Sequence, residues 1–147
     1  MIVKDEIDNI FLTAYRGSFT SMMRWPQLNE FWALLNEQAD DNWFVYAVGE
    51  QAPSQPASKA KLKEFIKEID ELLRKEHTED YCGIVYADNK ITPTFIKIYD
   101  PNNLGVSCGF SDNPPLPGWI LSKLAPVELE SLIPPNNRRR WWSRLFS

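Results

Sequence analysis

Apolar residues recur most regularly between positions 58 and 76, where Leu62, Phe65, Ile66, Ile69, Leu72 and Leu73 fall at three- and four-residue intervals. That spacing lines one face of a helix, with Ser58 placed to cap it and Asp70 and Arg74 placed to pair one turn apart on the polar side. Ile7, Ile10, Phe11 and Ala14 show the same period and predict a short helix over 4–15 that Gly17 stops. Residues 16–25 have no period and read as a loop. Pro26 then opens a second short helix whose inward face is Leu28, Phe31, Trp32 and Leu35.

Elsewhere the period shortens to two, or disappears into continuous apolar runs. Residues 43–48 (Trp-Phe-Val-Tyr-Ala-Val) are apolar without alternation, which predicts a strand buried on both sides. Segments 81–87, 94–99 and 104–110 are short and rich in β-branched and aromatic residues, and predict a three-stranded meander around which the chain is organised. Asp88-Asn89-Lys90 and Asp100-Pro101-Asn102-Asn103 supply the turns between them. Alternation places Ile96 and Ile98 toward the long helix and Phe95, Lys97 and Tyr99 on the opposite face. Beyond Phe110, six prolines leave space only for short pieces over 119–124 and 127–133 that wrap the body.

The expected fold is a single α+β domain in β-α-β-β order with a mixed, mostly antiparallel sheet of about four strands. The 58–76 helix covers one face, two short helices precede it, and a Pro-rich wrap ends the domain at residue 137. If the strands flanking the long helix run parallel, their connection should be right-handed. A chain of 147 residues is long enough for one real core.

Charge changes the picture at the end of the chain. Residues 1–137 carry twelve Lys and Arg against twenty Asp and Glu, a net −8, whereas residues 138–147 carry four Arg and no acid, a net +4. An acidic body repels nucleic acid, but the cationic end is attracted to acidic partners, anionic lipid or the body itself. The absence of an apolar leader and of Asn-x-Ser/Thr acceptors, with only two cysteines, leads us to expect a cytoplasmic location. No apolar run approaches the ~20 residues needed to span a membrane.

Candidate chemistry is sparse. Cys82 and Cys108 sit on the first and third meander strands, about 9.6 Å apart by strand spacing, and should be free thiols. Cys82 with His77 would make a thiolate and its base, against the plainer role of a small buried hydrophobe. Asp100 to Gly105 echoes a calcium loop, but Leu104 and Ser111 stand where ligands are required, so no metal is expected. Asp88, Asp100 and Asp112 lie in or beside loops, where carboxylates can converge or simply serve turns. Residues 113–119, Asn-Pro-Pro-Leu-Pro-Gly-Trp, suit a Pro-binding partner or a rigid loop whose Trp119 packs home. No motif implies a cofactor.

The least ordinary stretch is Arg138, Arg139, Arg140, Trp141, Trp142, Ser143, Arg144, Leu145 and Phe146, which joins the residue types that dominate interface energetics. It would dock on an acidic protein, lie weakly at a membrane surface, stack on nucleic acid, or fold back to close a groove of its own chain. The Phe95 and Tyr99 face needs a cover too, from the N-terminal helices, the C-terminal wrap or a second copy of the chain. From these features the expected function is a non-enzymatic protein that binds another protein through the Arg138 to Phe146 tail and the Phe95/Tyr99 face. The alternative is an enzyme or small-molecule binder with a pocket between the sheet and the Pro-rich segment.

Overall fold

The structure, a computed structural model, describes residues 9–80, 82–101, 116–129 and 136–146. Helix α1 (Ile10–Tyr15) is capped by Asn9, whose Oδ1 accepts from the Leu12 N–H at 3.0 Å. Helix α2 (Trp25–Glu37) has Pro26 in its first turn, and Gln27 Oε1 accepts from the Met23 and Arg24 N–H groups just before it. Helix α3 (Lys59–Glu76) starts where the sequence predicts: Ser58 Oγ accepts from Lys61 N–H, and Asp41 Oδ1 accepts from Lys59 N–H at 2.7 Å. Its buried residues are the six of the predicted stripe, and Arg74 and Lys75 complement the negative end of its dipole.

Strands β1 (Thr20–Ser21), β2 (Phe44–Ala47), β3 (Val85–Ala87), β4 (Phe95–Ile98) and β5 (Trp119–Ser122) form one five-stranded sheet in the order β1-β3-β4-β5-β2. Every neighbouring pair is antiparallel, so the chain is a single α+β domain with an antiparallel sheet. This corrects the expected mixed sheet of about four strands. β2 and β3 do not pair across α3; β4 and β5 lie between them, and β2 joins the sheet by pairing with β5. The misreading came from two-sided burial, which suggests a parallel strand but arises equally where both faces of an antiparallel sheet are covered. The predicted third meander strand, 104–110, lies outside the described residues. β5, which fills the position beside β4, comes from the segment read as a wrap, and β1 comes from the stretch read as a loop.

Alternation along the strands sorts the core in two, as the sequence predicts for Ile96 and Ile98. Val45, Ala47, Val85, Ala87, Ile96, Ile98, Trp119 and Leu121 face α2, α3 and the C-terminal helix α4 (Asn136–Phe146). Tyr46, Val48, Phe95 and Ile120 face the other way, where Phe11 of α1 closes over them and Leu129 and Val127 pack alongside. Each large side chain removed from water contributes on the order of 1.5–3 kcal/mol, so covering both faces matters for a sheet of such short strands. Tyr46 is fully buried and its hydroxyl accepts from Leu129 N–H at 2.9 Å, tying residues 116–129 to β2; burial pushes the phenol pKa up. Gly83, with φ of 65°, turns the chain into β3 while the amides of Cys82 and Gly83 bond to Met23 and Met22 carbonyls.

Candidate functional site

Helix α4 holds the Arg- and Trp-bearing segment, and its local folding follows the helical period. Trp141 and Leu145, four residues apart, point into the core. The Trp141 ring meets Trp119 of β5 at 5.6 Å and Phe65 of α3 at 6.2 Å, both edge-on, and the residue is 9% exposed. Trp142 and Phe146, also four apart, stack on each other at 4.2 Å, and both rings meet Phe65 at 6.4 Å. Lys61 lies 5.6 Å from the Phe146 ring. Phe65 is therefore the socket into which three aromatic residues of α4 converge. Arg140, Ser143 and Arg144 are exposed, while Arg138 and Arg139 lie in α4 but their side chains fall outside the described residues.

Where α4 rests against the last turns of α3, an open groove of about 290 Å³ remains, lined by Glu68, Glu71, Leu72, Lys75, Glu76, Trp141 and Arg144. Its apolar lining is Leu72 and Trp141, each less than a tenth exposed, and its charged lining sets three carboxylates against two cations. The tail thus does not stand apart from the acidic body; one of its tryptophans and one of its arginines complete a groove whose other wall is α3.

The second predicted contact region sits on the opposite face of the sheet. Phe95 is 1% exposed, packed at 5.1 Å against Phe11 and at 5.6 Å against Phe19, so it presents no contact surface. Its cover is α1 and Phe19, four residues beyond α1, while residues 116–129 pack against the same cluster. Tyr99 is half-buried, with its ring edge-to-face on Tyr86 at 5.5 Å. Between them Lys97 stretches along the aromatic surface, its Nζ 4.2 Å from the Tyr15 ring centre and 4.0 Å from that of Phe19. Such placement over ring faces is attractive for a cation. Burial alone pulls the Lys97 ammonium below its ordinary pKa. Tyr15 is pushed up to about 12, chiefly by burial and then by Tyr99 and Tyr46, and Tyr99 is raised by burial and Tyr86.

The remaining candidates take structural roles. Asp88 accepts from Thr94 N–H at 2.9 Å, Phe95 N–H at 3.1 Å and the Thr94 hydroxyl at 2.6 Å, closing the β3–β4 connection with Asn89, which accepts from Ile91 and Thr92 amides. Asp100 is buried beside Gly118, where a Cβ would come within 3.2 Å of the Asp100 Cβ, so a larger residue at 118 would press on Asp100. Asp112, Cys108 and residues 113–115 lie outside the described residues, and Trp119 is buried in β5. Among the described residues no three His, Cys, Asp or Glu gather as a metal site. Cys82 is a buried free cysteine whose thiol pKa is pushed up by burial, against the depression that a thiolate nucleophile needs. His77 meets the Trp25 ring at 6.1 Å.

One network escaped the sequence. Asp70 and Arg74 do pair, at 3.0 Å, but Asp70 also accepts from Trp32 Nε1 at 3.2 Å, while Arg74 bonds to Asn29 Oδ1 and lies 4.7 Å over the Trp25 ring. These contacts tie α3 to α2; Trp32 was legible only as part of an apolar face, and Trp25 fell in the stretch read as a loop. Lys97 was likewise placed on the correct face, but the residues that enclose it, Tyr15 and Phe19, lie in a distant segment that carried no signal for it. Among the described residues no helix is long and apolar enough to cross a membrane. Compared with known proteins, the chain matches no family model, no curated protein and no solved structure.

Proposed function

We propose that this protein acts by binding another protein, and that a segment of the partner seats in the groove between α3 and α4. The observation that supports this is the composition of that groove, in which the apolar Leu72 and Trp141 lie among Glu68, Glu71, Lys75, Glu76 and Arg144. Apolar floors with charged borders suit a protruding side chain flanked by polar ones. The matching partner segment is an amphipathic helix or extended peptide with one aliphatic or aromatic anchor. Basic residues beside the anchor face the three glutamates, and an acidic residue faces Arg144. Exposed ion pairs of this kind contribute only about 0–1 kcal/mol each, so the anchor supplies affinity and the charges supply orientation and association rate.

The test places a photo-crosslinking residue at position 75, in the groove lining, and compares the captured proteins with those taken by the same chain carrying Glu68→Lys and Glu71→Lys and by a control carrying Glu37→Lys, on the exposed side of α2. The expected result is a partner captured by the parent and by the control, and lost from the groove variant. Identical capture by all three chains would overturn the assignment.

A further inference from the structure

The Lys97 enclosure lies across the sheet from the groove, and its chemistry is different. Lys97 sits mid-strand in β4 and faces Tyr86 directly across the β3–β4 pair, so the two side chains leave the sheet on the same face. Tyr99, one residue past the end of β4, meets the Tyr86 ring at 5.5 Å, and Tyr15 and Phe19 arch over from the α1 side. The ammonium carries three N–H donors. The Tyr15 and Phe19 ring faces stabilise its charge. Among the described residues no carboxylate pairs with Lys97 and no oxygen accepts from it. A close carboxylate would also raise the ammonium pKa, whereas burial lowers it. A half-buried cation that meets no carboxylate among the described residues, next to three phenols, has the character of the donor half of an anion site.

We propose that Lys97, with Tyr15, Tyr86 and Tyr99 around it, binds a small oxyanion, a phosphate or carboxylate group. Two of the phenols, Tyr15 and Tyr99, have raised pKa values, so they stay protonated and able to donate throughout the neutral range. The aromatic walls suit an anion carried on a flat ring as well as a free one. The inference is independent of the protein-binding groove, because the two places lie on opposite faces of the sheet.

The experiment titrates the full chain at pH 7 with inorganic phosphate and, separately, with benzoate, against sodium chloride at matched ionic strength. The Lys97 Cε–Hε signals are followed by NMR and assigned by their loss in Lys97→Met. The expected result is a saturable shift with phosphate or benzoate that chloride does not reproduce. Binding should weaken by about tenfold or more in Lys97→Met and by a smaller factor in Tyr99→Phe. Tighter binding of benzoate would assign the anion to an aromatic ligand, and tighter binding of phosphate to a free or alkyl phosphate. Lys97 signals that fail to saturate with either anion, or shifts at other residues that survive unchanged in Lys97→Met, would overturn the proposal. Should Lys97→Met not fold, the parent titration together with Tyr99→Phe decides it.

Discussion

On the side of the sheet that carries Ile96, Ile98, Trp119 and Leu121, helices α2, α3 and α4 meet the strands with aliphatic and tryptophan side chains. On the other side the six-residue α1 and residues 116–129 meet Phe95, Ile120 and Tyr46 with a mixture of phenylalanines, tyrosines and the lysine between them. The first face is held by buried area contributed by long elements, each anchored at several turns. The second is held by a short helix through a few rings, and it tolerates a charge and several hydroxyls near its margin. The contrast shows that the same alternation along a strand can serve a broad dry core on one side and, on the other, a smaller core with a charge and hydroxyls at its margin.

The largest expected effect tests the dry side. Phe65→Ala removes the ring on which Trp141, Trp142 and Phe146 converge and should destabilise the chain by about 3–5 kcal/mol, read from urea unfolding, with loss of near-ultraviolet dichroism from the α4 tryptophans. If α4 contributed little to the fold, that dichroic signal would survive. Phe11→Ala tests the other side, and there the cost should fall toward about 3 kcal/mol or less because short α1 can shift into the space. Hydrogen exchange should show faster exchange at α1 and at β4 near Phe95 while α3 remains protected; uniform loss of protection would mean that the two faces unfold as one.

The faces should also differ in alkali. Tyr15 titrates near 12 when folded against about 10 when unfolded, so its contribution is complete below pH 10 and disappears as pH rises toward 12. Tyr46 and Tyr99 are shifted in the same direction. Lys97 acts oppositely, since a lowered ammonium pKa makes stability rise as pH climbs from the folded value to that of an unfolded lysine. Urea midpoints measured from pH 8 to 12 should therefore fall most steeply above pH 10. Tyr15→Phe should flatten that fall, and Lys97→Met should abolish the preceding rise. A profile unaltered by both substitutions would remove the electrostatic difference between the faces. The smallest effect is expected at the start of α3, where Ser58→Ala should cost about 1 kcal/mol by thermal melting, softened by the Asp41 bond to the next amide.

Periodicity made the covered faces legible before any coordinates. The stripe from Leu62 to Leu73 and the inward Ile96 and Ile98 follow from spacing alone, because each depends on neighbours within one element. Strand partners did not follow. Nothing local in residues 44–47 says that they pair with 119–122, since the choice rests on which apolar edges meet after collapse. The arginine and tryptophan segment was misleading for a similar reason. Its composition describes a surface, but the fate of Trp141 is set by Phe65 and Trp119, which offer it their edges. The groove was invisible because it exists only where a helix from the middle of the chain meets one some sixty residues later.

The position of β5 has a consequence for how the chain reaches this state. A strand formed late in synthesis is inserted between β4 and β2, both made earlier, so those two must wait with open hydrogen-bonding edges until residues 119–122 emerge. Closure over so long a loop is slow relative to helix formation, and the waiting edges are templates for pairing with another molecule. A nascent or truncated chain ending at residue 101 would therefore need a chaperone more than the finished protein does, and its half-built sheet is the state in which aggregation competes with folding.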